Sequence, residues 1–122
     1  MLSGDFCYIT SLEQESGKID AALELNAGHR IFKGHFPDQP VVPGVCMIQM
    51  VKELLNAAFS KKANLVSAGQ IKFLSVIDPT ENNRIAAEIK YIIMEDQTCK
   101  ISASLVNGSV TYFKMNAIFG WE

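Results

Sequence analysis

Apolar and polar positions alternate most cleanly in the last third of the chain. In residues 84–93, Ile85, Ala87, Ile89, Tyr91 and Ile93 share one side of an extended segment. Residues 100–106 set Ile101, Ala103 and Leu105 against Lys100, Ser102 and Ser104, and residues 109–119 bring Phe113, Met115, Ala117 and Phe119 together. Asn107-Gly108 between the last two runs predicts a type I′ hairpin turn, in which both central residues take positive φ. Upstream, Ile19, Ala21, Leu23 and Leu25 alternate with Lys18, Asp20, Ala22 and Glu24, the pattern of a half-buried strand. A first strand is expected over Asp5–Thr10, then a polar turn over Ser11–Gly17. Residues 65–76 read as a long strand, bent or bulged at Gly69 and closed by the turn cluster Asp78 to Asn83.

Residues 34–59 break this rhythm. A turn-rich segment with three of the four prolines leads to Pro43-Gly44, and an apolar run without a breaker follows. Proline is tolerated at a helix start and excluded from its interior, so a helix is predicted from about Gly44–Val45 to Phe59 or Ser60. Its apolar residues cover most of the circumference, which predicts a buried helix. Gln49, Lys52, Glu53, Asn56 and Ser60 are the exceptions, and at ~100° per residue they fall on one narrow stripe. That stripe is either a solvated seam or a seam facing another subunit. One helix flanked by amphipathic strands predicts an α+β fold: a curved antiparallel sheet wrapped around one long central helix, with two strands before the helix. The whole chain, 1–122, is read as a single domain.

Composition narrows the function classes. A formal net charge of −2 offers no basic excess for nucleic acid. No apolar run reaches the ~20 residues that span a bilayer, and no basic stretch precedes an apolar one at the N-terminus. Cys7, Cys46 and Cys99 are odd in number and set in apolar surroundings, so reduced thiols and a cytoplasmic location are expected. Cys46 has two readings, a first-turn thiol of lowered pKa and a packing residue; its apolar neighbours favour packing. Met47 and Met50 read as core or as the lining of a lipid tunnel. His29 and His35 have no third partner that would make a metal site.

The string GHFPDQPVVPGVCMIQ, residues 34–49, resembles the signature of the 3-hydroxyacyl-acyl carrier protein (ACP) dehydratases, a pattern G-H-F-P-G-x-P-x-x-P-G-V/C followed by an apolar helix with a catalytic Glu or Asp. The resemblance extends over roughly residues 17–119. It implies the hotdog fold and a (3R)-3-hydroxyacyl-ACP dehydratase that forms a trans-2-enoyl-ACP in fatty-acid or related acyl biosynthesis. It also implies an acyl-ACP thioester substrate, no cofactor or metal, and a homodimer whose site takes its histidine from one subunit and its helix residue from the other.

Dehydration needs a base for the C2 proton, donors for the thioester oxygen and an acid for the departing hydroxyl. His35 is the candidate base, since imidazole titrates near working pH. The amides of Gly44 and Val45, in the helix's first turn, have no intrahelical acceptor and can hold the thioester oxygen. Gly44 is expected to leave that approach free of a side chain. Phe36 and Glu53 are further candidate substrate-binding residues, Glu53 reaching the site only through Gln49 or a water, and the resemblance places the helix acid where this chain has Gln49. An amide can hydrogen-bond a hydroxyl but cannot serve as its general acid. Glu53 stands one turn on, ~6 Å along the axis, where the family commonly has an amide. A further departure is Asp38 in place of glycine, at a turn that Asp tolerates. Two rival readings follow: a non-catalytic acyl-binding or heterodimer partner of a dehydratase, and a hotdog acyl thioesterase.

Overall fold

The computed structural model describes residues 6–29 and 41–122. These form strands β1 (Cys7–Glu15), β2 (Lys18–Leu25), β3 (Ala63–Phe73), β4 (Arg84–Ile93), β5 (Cys99–Asn107) and β6 (Val110–Trp121), and one helix, α1 (Gly44–Phe59). The strands make one antiparallel sheet in the order β1-β2-β4-β5-β6-β3. The inward residues of the alternating strands, Ile19, Leu23, Ile85, Ile89, Ile101, Leu105, Phe113 and Phe119, are buried with the helix residues Met50, Val51, Leu54 and Leu55 in one core. Among the described residues α1 is the one helix that covers the sheet's apolar face, and the sheet curves around it, the arrangement expected from the sequence.

The ends of α1 are fixed differently. At its C-terminus Ser60 takes a left-handed conformation (φ 53°), Asn56 Oδ1 accepts from the Ala63 amide at 2.7 Å, and Phe59 packs edge-on against Tyr91 at 5.1 Å. Asn56 thus turns the chain from α1 into β3, which gives that member of the polar stripe a structural role. At the N-terminus Pro43 (φ −61°, ψ 145°) is the cap residue, and among the described residues no side chain caps the helix. The Val42 amide donates to the Ile77 carbonyl at 2.9 Å, and the Leu74 and Ser75 amides donate to Tyr112 O, so residues 73–77 flank the first turn.

Four expectations are corrected. The first strand does not stop at Thr10. It runs to Glu15 through a bulge between Ile9 and Ser11, because residues 11–15 pair with residues 18–22 of β2, and the turn shrinks to Ser16-Gly17, with Gly17 at φ 79°. The last hairpin pairs Asn107 with Val110, so its central residues are Gly108-Ser109; Gly108 alone has positive φ (59°), the requirement of a turn with glycine first. Asn107 instead donates its side-chain amide to Arg84 O at 2.9 Å. Nor is α1 buried all round: Val45 is 71% exposed and Ala57 is exposed too. Finally, the strand expected over 65–76 runs instead from Ala63 to Phe73, and the irregularity expected at Gly69 is present, as a register shift between Ala68 and Gln70.

Candidate active site

The first turn of α1 carries Gly44 and Val45, two of the residues expected to bind substrate. No acidic residue lies in that turn, and the Cys46 amide bonds back to Pro43 O at 3.0 Å. The amides of Gly44 and Val45 come before the first intrahelical acceptor and meet no acceptor among the described residues. Both therefore point at whatever lies beyond the helix end, with the positive end of the helix dipole behind them. A cavity of about 570 Å³ opens beside this turn, lined by Val42, Gly44, Met47, Phe73, Leu74 and Val76. Met47 is thus both a core residue and a cavity wall.

Gly44 is needed here for a reason the sequence did not disclose. A Cβ at this position would lie 2.8 Å from the ring of Phe73, so the space on that side of the helix is filled by an aromatic wall, not left open. Phe73 ends β3, packs at a tilt against the buried Phe113 with ring centroids 5.3 Å apart, and is itself 55% exposed. It is a residue of the site that sequence reasoning missed, since what fills the place of an absent Cβ leaves no local signature.

Gln49 and Glu53 separate. Gln49 is half-buried, whereas Glu53, at 5% exposure, is the one buried charged side chain among the described residues. The stripe read from the sequence as one polar seam therefore divides, with Gln49 and Lys52 at the uncovered side of α1 and Glu53 inside. Cys7 of β1 lies close enough to Glu53 and Cys46 for both to act on it. Burial first, and then those two neighbours, push the Cys7 thiol up to about 12, and burial alone raises Cys46. The raised Cys46 thiol answers its two readings in favour of packing. His35 and Phe36, together with Asp38, lie outside the described residues. His29 sits outside the helix region, its amide bonded to Asn26 O at 3.1 Å and its ring edge-on to Phe6 at 5.5 Å. Among the described residues no three His, Cys, Asp or Glu side chains converge as a metal site, and no helix is long and apolar enough to cross a membrane.

A curved antiparallel sheet wrapped around a helix defines a hotdog-fold protein. The sequence model of the ApeI-like family, described as ApeI dehydratase, matches residues 11–110, and the chain belongs to that family. It is 28% identical over 98 residues to the 3-hydroxyacyl-[acyl-carrier-protein] dehydratase FabZ of Bacillus cereus (strain AH820), a match covering 80% of this chain and 67% of the relative. In structure it is similar to the dehydratase heterocomplex ApeI:P from Xenorhabdus doucetiae, with a TM-score of 0.72, 21% identity and coverage of 91% and 95% of the two chains. The fold is shared more widely, as with the conserved protein PA5202 from Pseudomonas aeruginosa (TM-score 0.67, 11% identity, coverage 97% and 90%).

Proposed function

We propose that this dehydratase-family chain acts on (3R)-3-hydroxyacyl chains carried as ACP thioesters and converts them to trans-2-enoyl thioesters. The observation that carries this reading is the helix start: two backbone amides without acceptors among the described residues, beside an apolar cavity, in the same stretch of sequence as the GHFP segment that ends at Pro37. In the proposed reaction His35 removes a C2 proton while the thioester oxygen rests on the Gly44 and Val45 amides, with Phe36 against the acyl chain. The C2–H electron pair becomes the C2=C3 bond, the C3–O bond breaks, and the hydroxyl takes up a proton and leaves as water. Gln49 orients that hydroxyl, and Glu53, one turn on, reaches it only through Gln49 or a water.

The uncovered side of α1 supports an assembly of two chains. Val45 and Gln49 stand on it, and β3 beside it is exposed along nearly its whole length. A second subunit there would cover both and bring its own histidine to this helix. The replacement of the acid by Gln49 supports a second reading, in which the chain binds acyl groups as the non-catalytic member of a heterodimer. That a structural relative is described as a heterocomplex fits it.

The test is to incubate the purified protein with a 3-hydroxyacyl-ACP and weigh the product. Loss of water supports the dehydratase, loss of the acyl group a thioesterase, and no change the partner role. Gln49→Glu sharpens the answer. If the pocket is intact and only the proton donor is lacking, the substitution raises turnover by ~10²–10⁴-fold, the usual worth of general acid catalysis. A fast wild type slowed by Gln49→Glu would instead make Gln49 the positioning group.

A further inference from the structure

The convex face of the sheet, turned away from α1, carries an ordered pattern that the proposed reaction does not use. Ile92, Lys100 and Ile118 are direct cross-strand neighbours on β4, β5 and β6. Val66, at the bulge of β3, extends this row by lying over Gly120, where an added Cβ would meet its Cγ2 at 3.2 Å. The row is open to solvent, with Ile92 63% and Val66 61% exposed.

Its two flanks carry opposite charge. Two residues along the strands, Lys18 and Lys90 are cross-strand partners, and with Lys100 they line a depression of about 640 Å³. Lys18 is paired with both Asp20 and Glu88 at 3.7 and 3.6 Å, so the unpaired positive charge of this flank is that of Lys90, which has no carboxylate within 4 Å among the described residues. On the other flank the β4–β5 turn brings Glu95 and Asp96 to the rim of a second depression of about 660 Å³, beside Val66, Met94 and Ile118. Asp96 is held in place by the Thr98 amide and hydroxyl at 3.0 and 2.6 Å.

We propose that this face binds a second copy of the chain across a two-fold axis lying along the Ile92–Lys100–Ile118 row. A rotation about an in-plane axis returns each apolar residue of the row to its own counterpart and exchanges the flanks. The Lys18–Lys90 side of one copy then meets the Glu95–Asp96 turn of the other, twice over. An isologous contact needs a surface complementary to itself, and a basic, apolar, acidic succession along one direction has that property. Lys100 stands in the row; its flexible stem lies along the isoleucines while the ammonium leans to the acidic turn of the second copy. A polyanion would be repelled by that turn, which counts against nucleic acid or an anionic membrane. Because α1 and its cavity lie on the concave side, the contact leaves the helix start accessible.

Sedimentation velocity of the full chain tests this independently of the dehydratase reading and of any contact through β3. Wild type is expected at twice the mass of Ile92→Asp at the same concentration, with superimposable circular dichroism, since Ile92 is an exposed residue. Lys90→Glu alone and Glu95→Lys alone each fall to the lower mass. An equimolar mixture of the two regains the higher one, because both charge contacts are restored between unlike copies. Equal masses for wild type and Ile92→Asp overturn the proposal, and so does a mixture that stays at the lower mass.

Discussion

The two edges of the sheet are built to opposite specifications. β1 ends one edge with Glu13, Gln14 and Glu15, bends through a bulge after Ile9, and spends Thr10 Oγ1 on Ala22 O at 3.2 Å. Gln14 donates to the Tyr91 hydroxyl at 3.1 Å, tying the strand end back to the sheet. Charge, a bulge and side-chain tethers are the usual means of keeping an edge from pairing with another chain. β3, the opposite edge, has no charged residue from Asn64 to Ile71 and exposes Leu65 and Val66. The helix repeats the contrast. Towards β1 it buries Glu53 and Cys46 near Cys7, and towards β3 it leaves Gly44 and Met47 at an open cavity under Phe73. One half of the molecule is complete in itself; the other has the composition of a surface awaiting cover.

Reversing the character of one edge should produce the largest effect. Leu65→Lys with Ser67→Lys gives β3 the charge that β1 already has, and like charges facing across a two-chain seam would split it. The expected outcome is a halved mass by light scattering and loss of nearly all turnover, with the far-ultraviolet spectrum kept. The matched change on β1, Ser11→Lys, should alter neither. If the β3 variant keeps its mass, the seam lies elsewhere and the contrast between the edges has no bearing on assembly.

A smaller effect is expected where the open half is most tightly fitted. Gly44→Ala places a methyl 2.8 Å from Phe73, so the ring must swing off the helix. Overpacking of this kind costs about 1–3 kcal/mol, moderated here because Phe73 is half exposed and free to move. Phe73→Leu should relieve much of it. The double-mutant cycle read by urea denaturation is then expected to show a coupling of about 1 kcal/mol, and additive effects would mean that the ring does not seat on Gly44 in solution.

Legibility in the sequence followed periodicity. β2, β4, β5 and β6 alternate cleanly because each has one face on the core, and their bounds fell within two residues of expectation. β1 was cut short because Glu13, Gln14 and Glu15 read as a turn; their strand state is imposed by pairing with β2, which no local pattern records. The helix was legible from Pro43-Gly44 and its apolar run. Its uncovered side was not, since Val45 is as apolar as any core residue. The single polar stripe was legible as a pattern, but Glu53 within it is buried by a neighbouring strand that a helical wheel does not contain. Gly44 was recognised as special; the aromatic ring that makes it so comes from a residue 29 positions later in the chain.

The smallest effect probes the closed half through its thiols. In the folded protein the Cys7 thiol is pushed up to about 12 from an ordinary 9.0, by burial first and then by the nearby Glu53 and Cys46, and Cys99 is pushed up to about 11 by burial alone. A thiol raised in the folded state holds its proton more tightly there than in the unfolded chain. Its contribution to stability is complete below pH 9 and is lost as pH rises through 9 towards 12, because the unfolded state ionises first. The urea midpoint should therefore fall across that window, and less steeply for Cys7→Ser/Cys99→Ser. Glu53→Gln removes the negative neighbour, so Cys7 should begin to ionise at lower pH while Cys99, which does not feel Glu53, stays where it is. Ultraviolet thiolate titration of single-cysteine variants separates the two. A Cys7 titration unmoved by Glu53→Gln would mean that burial alone sets it, and that the β1 side of the helix holds Glu53 at a greater remove than its effect on Cys7 requires.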